Sequence, residues 1–264
     1  MAEFETIAYE LKDNVAWVTL NRPEQRNAVN AVMRDELIRV LNDAQTNSDV
    51  RALVLTGAGK GFCTGADLSA TRGQGPQGPG ATRLLMKGSS QRLIRALWEL
   101  EKPVVCAVNG VAAGLGAHLA FASDFVIASS EARFIEVFVR RGLAVDAGGA
   151  FLLPRLVGLQ RAKELVFFGD EFSAEQAYQW GLVSRVVPPE QLEATAGQWA
   201  ERLAKGPTVA LGLSKRLLHR SLDCDLDTCL EEEALAQSIV TQSEDLREGM
   251  QAFLERRPPQ FKGR

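Results

Sequence analysis

The stretch Pro103-Val104-Val105-Cys106-Ala107-Val108 is short and uncharged, and two similar runs, Ala52-Leu53-Val54-Leu55-Thr56 and Phe125-Val126-Ile127-Ala128, lie on either side of it. Continuous apolar runs of this length are typical of strands in a parallel sheet that is covered on both faces. Helical patterns separate the three runs, and strands that alternate with helices imply right-handed crossovers. The sequence therefore predicts an α/β fold built on a parallel sheet.

Local signals extend this pattern toward both ends of the chain. Two β-rich runs flank Lys12-Asp13-Asn14 and predict a hairpin, and Asn30 is a favourable N-cap for the helix that follows. Ser173-Ala174-Glu175-Gln176 has the form of a capping box. After Pro189 the pattern is helical, over about 189–205, 208–221, 226–241 and 244–257. The change from mixed α/β to pure helix predicts a core at 1–195 and a helical region at 196–264.

Length and charge narrow the classes of function. The chain has 264 residues, of which 46% are hydrophobic, enough for one large core. Thirty basic residues against 33 acidic ones give a net charge of -3, which predicts no general affinity for nucleic acid or an anionic membrane. The start of the sequence lacks a basic stretch followed by an apolar run, and no long apolar stretch follows. We expect a cytoplasmic protein without a membrane partner.

Cysteine and histidine are few. The four cysteines are Cys63, Cys106, Cys224 and Cys229, and only two histidines are present. Their spacing supports neither a disulfide framework nor a zinc site. All four cysteines are expected to be ordinary thiols, and no metal is expected.

Glycine-rich segments allow a test for nucleotide cofactors. The Gly-Lys-Ser/Thr ending of a P-loop is absent from the first segment, Gly57-Ala58-Gly59-Lys60-Gly61. The third glycine of the dinucleotide fingerprint is absent from the second segment, Gly114-Leu115-Gly116-Ala117-His118-Leu119. No nicotinamide or other cofactor is therefore expected. A third segment, Gly73 to Gly80, is too rich in Gly and Pro for a regular element and is expected to be mobile without ligand.

The first two glycine-rich segments share another property. Each places a backbone N–H near the start of a helix or turn that follows a buried parallel strand. Ligands bind at the carboxyl ends of such strands, and free N–H groups there attract negative oxygen. Two converging N–H groups of this kind would form an oxyanion hole.

Seven runs follow one another along the chain: Asn21-Arg22-Pro23, Leu55-Thr56-Gly57, Gly61-Phe62-Cys63-Thr64-Gly65-Ala66-Asp67-Leu68, Pro103 to Gly110, Ala113-Gly114-Leu115-Gly116, Ser173 to Ala177 and Glu248 to Phe253. In these runs and in their order, the sequence resembles the crotonase, or enoyl-CoA hydratase/isomerase, superfamily over nearly its whole length.

The resemblance implies a spiral core of β-β-α turns with a C-terminal helical trimerisation region, which binds an acyl-CoA thioester. By motif, the two oxyanion N–H groups fall on Ala66 and Leu115. Thioester enolates concentrate charge on one oxygen, and one such donor is commonly worth about 10² to 10³ in rate. A homotrimer or a dimer of trimers is expected, with CoA as part of the substrate.

The acid/base positions depart from the hydratase pattern. In the hydratases that this sequence resembles, one glutamate lies three residues after the second oxyanion donor. A second glutamate lies at the position that corresponds to residue 138 of this sequence. This sequence has His118 and Phe138 there. Without two carboxylates, simple addition of water loses its usual acid and base. Glu136 lies two residues from the second position and is a weak substitute.

Asp146 is the remaining carboxylate near the expected site. Dienoyl-CoA isomerases and the ring-opening isomerase of phenylacetate breakdown, which this sequence resembles most in pattern, have an aspartate there. Apolar neighbours would raise its pKa toward the range of a general base. A second interpretation is that Asp146 only caps a helix starting near Ala147. His118 has two interpretations as well, a proton relay or an uncharged residue lining the pocket.

The resemblance also implies contacts to CoA. Arg26 would approach the phosphates. Phe253 and Lys262 would reach the CoA of a neighbouring subunit. The residues that would border the nucleotide are Ala28, Thr64, Asp67 and Leu68.

The leading hypothesis is an acyl-CoA isomerase of fatty acid or aromatic catabolism, with Asp146 moving the proton while Ala66 and Leu115 hold the oxyanion. Two alternatives stay open: an enoyl-CoA hydratase with substituted acid/base groups, and a catalytically silent acyl-CoA-binding paralogue.

Overall fold

The structure is a computed structural model, and it describes residues 4–69 and 78–264. Most of the predicted mobile segment at Gly73 to Gly80 lies outside these residues. The described strands are β1 (Ile7–Lys12), β2 (Val15–Leu20), β3 (Ala52–Gly57), β4 (Val104–Val108), β5 (Val111–Ala113), β6 (Phe125–Ser129), β7 (Arg133–Ile135), β8 (Glu171–Ser173) and β9 (Arg185–Val187). The described helices are α1 (Ala31–Thr46), α2 (Ala81–Gly88), α3 (Ser90–Glu99), α4 (Leu115–Phe121), α5 (Gly149–Phe168), α6 (Ala174–Gln179), α7 (Leu192–Ala204), α8 (Thr208–Arg220), α9 (Leu226–Val240) and α10 (Glu244–Glu255).

The local signals of the sequence act as predicted at the ends of these elements. Asp13 and Asn14 both have positive φ and join β1 to β2 in a hairpin. The Asn30 side chain accepts a hydrogen bond from the Met33 N–H and caps α1. Ser173 and Gln176 form the predicted capping box at α6. These boundaries were predictable because each depends on neighbouring residues only.

Two sheets form the core. The larger one has six strands in the order β1-β2-β3-β4-β6-β9, parallel except for the β1–β2 pair. The smaller one has the order β5-β7-β8. The mixed α/β class and the parallel sheet are confirmed.

The chain passes between these sheets in repeated β-β-α turns. In one turn β4 joins the large sheet, β5 the small sheet, and α4 follows; in the next turn β6, β7 and α5 repeat this order. An earlier turn uses β3 and then Cys63, which forms a bridge with Ala112 of β5. In each β-β-α turn, one segment links the strand of the small sheet to the helix that follows it. These linking segments therefore occupy equivalent positions in successive turns.

The large sheet is covered on both faces. One face packs against α1, α3 and α4, and the other against α7, whose alanines Ala196, Ala200 and Ala204 are buried over β3 and β4. Residue 195 lies within α7, so the helical part that leaves the sheet begins after Ala204. The division into two domains stays a prediction.

Two cysteines differ from the expectation of free thiols. Cys224 and Cys229 form a disulfide, with their Cα atoms 6.2 Å apart. Cys224 precedes α9 and Cys229 lies in its first turn. The first turn of the helix therefore brings the two sulfur atoms close together. Cys63 and Cys106 are free and buried, and burial raises the pKa of the Cys63 thiol to about 12.

Candidate active site

The two predicted oxyanion donors lie in neighbouring turns that contact each other directly. The Cys63 N–H donates to the Val111 carbonyl at 3.0 Å, and the Ala113 N–H donates to the Cys63 carbonyl at 2.9 Å. A Cβ atom added to Gly65 would lie 3.7 Å from the Leu115 nitrogen. The backbone before Ala66 is therefore held against the start of α4.

Both donor N–H groups are left without an intramolecular acceptor among the described residues. On one side, the Val29 N–H donates to the Gly65 carbonyl and the Asp67 N–H donates to the Val29 carbonyl, which turns the Ala66 N–H away from Val29. On the other side, Leu115 is the first residue of α4, where N–H groups have no partner within the helix. This pair of free donors can receive a negatively charged oxygen.

Glycine allows the close approach of these segments. Gly65 has a φ of 99°, a conformation that side chains rarely adopt, and a Cβ there would lie 2.8 Å from the Ala113 carbonyl oxygen. A Cβ on Gly116 would lie 2.2 Å from the Cys63 carbonyl oxygen. Larger residues at either position would separate the two donors.

Asp146 does not cap a helix, so the capping interpretation is wrong. Helix α5 begins at Gly149, its N-cap is Gly148, and no side chain caps it. Only the backbone carbonyl of Asp146 is used, as the acceptor of the Gly149 N–H at 2.9 Å. The Asp146 carboxylate accepts no hydrogen bond from the described residues and is half-buried, so burial raises its pKa.

The backbone next to Asp146 is strained. Ala147 has a φ of 46°, which is unusual for a residue with a Cβ, and Gly148 has a φ of 82°. Strain of this kind is common where a backbone is held in place for function.

The fold brings the side chains of His118 and Glu136 together as a fully buried pair. The His118 Nε2 lies 3.0 and 3.2 Å from the two Glu136 carboxylate oxygens, and both side chains are completely buried. Glu136 follows the last residue of β7, and His118 is one turn into α4. The sequence placed Glu136 only as a weak substitute for a carboxylate at Phe138, so this pairing was missed.

The pair contacts the Asp146 turn and the predicted Phe138 position. The Phe138 ring stacks on His118 with centroids 5.5 Å apart. A Cβ on Gly149 would lie 2.4 Å from His118 Cε1. Gly149 thus provides the space for the imidazole, and Asp146, His118 and Glu136 belong to one site.

The predicted CoA-binding residues of the N-terminal half also lie together. The Thr64 N–H donates to the Arg26 carbonyl at 3.2 Å, and the Arg26 side chain is exposed. Arg22, which the sequence analysis did not assign to the site, donates to the Ala28 carbonyl and forms an ion pair of 2.9 Å with Asp67. Hydrogen bonds from Ser69 and then Arg22 hold the Asp67 pKa below its usual value.

Two of the predicted residues lie in the C-terminal region. Phe253 is on α10 and is 79% exposed, and Lys262 follows α10 with its backbone N–H bonded to Asp245. Within one chain, the described residues show no hydrogen bond or ion pair that joins either of them to Arg26, Thr64 or Asp67.

Comparison with known proteins agrees with this geometry. The family model described as Enoyl-CoA hydratase/isomerase matches residues 10–264. The chain belongs to this family. It is 44% identical to the 1,2-epoxyphenylacetyl-CoA isomerase of Escherichia coli K12, over 98% of this chain and 99% of the relative. It is 38% identical to the short-chain-enoyl-CoA hydratase of Clostridium acetobutylicum, over 97% of each chain.

Solved structures agree at the level of the fold. The crystal structure of an enoyl-CoA hydratase/isomerase from Cupriavidus metallidurans CH34 matches with a TM-score of 0.93 and 38% identity, covering 100% of this chain and 98% of that one. The crotonase-like fold and a role in enoyl-CoA chemistry are therefore confirmed.

Outside the undescribed residues 1–3 and 70–77, no three His, Cys, Asp or Glu side chains group in a way that could hold a metal ion. Within the same ranges, no helix has the length and apolarity needed to cross a membrane.

Proposed function

We propose that this family member is an acyl-CoA isomerase in which Asp146 moves a proton while the Ala66 and Leu115 N–H groups stabilise the thioester oxyanion. The observation that carries the proposal is the state of Asp146: half-buried, without a hydrogen-bond partner among the described residues, and with a raised pKa. Such a carboxylate is suited to take and return a proton. The name of the Escherichia coli relative supports an isomerase.

The proposed reaction is a proton transfer in which neither the substrate nor the protein is oxidised or reduced. Asp146 takes a proton from a carbon next to the thioester, and the electron pair of that C–H bond moves to the thioester oxygen as an enolate. The two N–H groups bind this oxygen most strongly when its charge is full. Asp146 then returns the proton to another carbon, where the electrons of the enolate form the new C–H bond. Where the substrate carries a strained ring that contains oxygen, the enolate electrons instead form a carbon–carbon double bond and break the adjacent C–O bond of the ring, and the leaving oxygen takes the proton from Asp146.

The proposal extends to the CoA moiety: Arg26 meets its phosphates. The residues that border the nucleotide are Ala28, Thr64, Asp67 and Leu68. The exposed Arg26 guanidinium is free to meet a phosphate, since among the described residues it forms no ion pair. The Asp67 carboxylate is already bound by Arg22 and Ser69, so its role there is to fix the loop.

A hydratase remains the second candidate because relatives such as the Clostridium acetobutylicum protein carry that name. In that case His118 and Glu136 would have to handle water in place of two carboxylates. Their complete burial makes this less favourable, because an added water needs access to both the acid and the base.

Turnover on straight-chain, dienoyl and aromatic-derived CoA esters, with deuterium exchange from solvent, tests the proposal. We expect double-bond migration or ring opening, with exchange at the carbon next to the thioester. Crotonyl-CoA hydration at rates ordinary for the family would instead establish the hydratase. Binding with neither turnover nor exchange would indicate a silent paralogue.

The pH profile should reflect the raised pKa of Asp146. The base works when ionised, so kcat/KM should fall as pH falls through that pKa, and this limb should lie above the range of an ordinary aspartate. Measurement of kcat/KM between pH 4 and about 9 checks this. A limb at the position of an exposed aspartate would contradict the assignment of the base.

We propose a homotrimer or a dimer of trimers. Helices α8 to α10 expose large apolar side chains that one chain leaves in water, and packing against neighbours would bury them. Light scattering at micromolar concentration should give a mass three or six times 28.8 kDa. A monomer would contradict this, and with it the shared roles of Phe253 and Lys262. In this C-terminal region the exposed large apolar residues are Leu218, Leu222 (between α8 and α9), Leu226, Leu230, Leu235, Ile239, Met250, Phe253 and Leu254.

A further inference from the structure

The Ala66 N–H belongs to a peptide unit whose carbonyl is held by a distant segment of the chain. That carbonyl is the one of Gly65, and it accepts a hydrogen bond of 2.8 Å from the Val29 N–H. The unit is trans, and in a planar trans unit the C=O and N–H groups point in opposite directions. The contact with Val29 therefore fixes the direction in which the Ala66 N–H points.

Residues 26–29 lie beside residues 64–67 as a short parallel pair. Besides the bond from the Val29 N–H, the Asp67 N–H donates to the Val29 carbonyl at 2.9 Å. Ala66 thus lies between two hydrogen bonds to Val29, one before it and one after it. A shift of residues 26–29 would therefore move the Ala66 N–H out of its place in the oxyanion hole.

Asn27 holds this segment in place through a buried amide. The residue is completely buried, and its φ of 56° lies in the left-handed region, which asparagine adopts more readily than most residues. Its Oδ1 accepts a hydrogen bond of 2.9 Å from the Arg22 N–H. Its Nδ2 donates to the carbonyls of Ala58 and Gly61, both at 2.9 Å. The amide therefore joins residues 22–29 to the turn that follows β3.

The turn that Asn27 holds leads directly to the oxyanion segment. Residues 58–61 follow β3 and run into Cys63, whose N–H and carbonyl are both bonded to β5. Residues 26–29 set the direction of the Ala66 N–H, and the 58–61 turn sets where the strand that carries it begins. One buried amide thus connects the two segments on which the donor depends.

We propose that Asn27 is a positioning residue for the oxyanion hole, an inference that rests on the proposed role of Ala66 as an oxyanion donor. Its amide holds residues 26–29 against the 58–61 turn, so that the Ala66 N–H points at the thioester oxygen. Asn27 acts through the backbone and exchanges no proton with substrate. Arg26, which is proposed to meet the CoA phosphates, belongs to the same segment, so binding energy from the nucleotide end is available to align the donor at the thioester.

Two variants separate the hydrogen bonds of Asn27 from its backbone conformation. Asn27→Gly keeps the positive φ without strain but removes the whole amide. Asn27→Asp keeps the size and the acceptor oxygen, but it places a second oxygen where the two carbonyls need a donor. In both variants kcat should fall by about tenfold or more, because complete loss of one oxyanion donor costs about 10² to 10³ and a misaligned donor forfeits part of that.

The thioester carbonyl of a bound ester reports on the oxyanion hole without any turnover. A saturated acyl-CoA labelled with ¹³C at the thioester carbonyl has no double bond to move, and its ¹³C resonance moves downfield when hydrogen bonds polarise the carbonyl. We expect this downfield shift on binding to the unaltered protein and a smaller shift in both Asn27 variants. An S-alkyl CoA thioether, which has no carbonyl, should bind to all three proteins with the same Kd in calorimetric titration.

Asn14→Gly is the matched control. Asn14 also has a positive φ, of 63°, and its side-chain amide also donates to a carbonyl, that of Asp49 at 2.9 Å. It is exposed, however, and lies in the β1–β2 turn, at the end of β2 that is farther from Arg22. This variant should keep both the kcat and the carbonyl shift of the unaltered protein.

A full carbonyl shift in folded Asn27→Gly overturns the proposal, and so does an equal loss of the shift in Asn14→Gly. Weaker binding of the thioether in the Asn27 variants, with the carbonyl shift kept, overturns it as well and assigns Asn27 to the nucleotide contacts alone. Absence of the shift in the unaltered protein would contradict the oxyanion hole itself, and this inference with it. A shift that is present there and kept in the variants contradicts only the role of Asn27.

Discussion

Asp146→Asn should lower turnover by about 10² or more while CoA-ester binding persists. General base catalysis typically contributes about 10² to 10⁴, and asparagine keeps the size of the side chain but cannot take the proton. Binding depends on the Ala66 and Leu115 N–H groups and on the nucleotide contacts, which this change leaves in place. Steady-state kinetics and calorimetric titration with a CoA ester measure the two effects separately.

Stability should not fall in this variant. Gly148 rather than Asp146 is the N-cap of α5, and the Asp146 carboxylate has no hydrogen bond from the described residues to lose. Because the folded-state pKa of Asp146 is raised above its unfolded value, the ionised form destabilises the fold at neutral pH. Asparagine removes that cost, so the Tm at pH 7 should be equal or slightly higher.

A matched aspartate separates this result from a general effect of lost charge. Asp170 is exposed at the end of α5 and lies 3.6 Å from Arg140, and Asp170→Asn should keep normal turnover. Near-normal turnover in Asp146→Asn, together with a large loss in His118→Asn, would contradict the assignment and make the histidine the proton carrier.

The sequence predicted those parts of the fold that depend on neighbouring residues. Apolar runs such as Val104–Val108 became buried parallel strands, and Asn30 and Ser173 cap helices because their side chains reach N–H groups three residues away. The last three helices were predicted to within two residues at each end, since Gly, Pro and polar caps separate them.

The parts that escaped prediction depend on contacts between distant segments. Glu136 meets His118 only because β7 pairs with β5 and thereby places the end of one turn against the helix of the previous one. Nothing in the spacing of the two residues indicates this. Arg22 was missed for the same reason, because Asp67 lies 45 residues away along the chain.

Asp146 is an intermediate case. Its identity as a candidate came from motif position, but the choice between base and helix cap needed the start of α5. The sequence favoured a start near Ala147, whereas Ala147 and Gly148 adopt positive φ and delay the helix to Gly149. Because the helix begins two residues later, Gly148 is its N-cap and the Asp146 carboxylate has no capping role.

Gly116→Ala is expected to have the second large effect, through the oxyanion hole. The new Cβ would lie 2.2 Å from the Cys63 carbonyl oxygen and 2.8 Å from the Cys63 Cβ, and the first of these atoms is backbone that cannot rotate away. Alanine favours a helix over glycine by about 1 kcal/mol, but overpacking costs about 1 to 3 kcal/mol and backbone has to move as well. The clash therefore decides the outcome.

Relief of this clash requires the Cys63 segment to move away from α4, which separates the Ala66 N–H from the Leu115 N–H. Loss of one donor should lower kcat by about 10² to 10³, and thermal unfolding should show a lower Tm. Gly61→Ala is the matched control, because a Cβ there has no neighbour within 4 Å although the residue lies in the same loop. It should keep both turnover and Tm. Full turnover in Gly116→Ala with unchanged stability would show that the contact between these two turns does not hold the oxyanion donors in place.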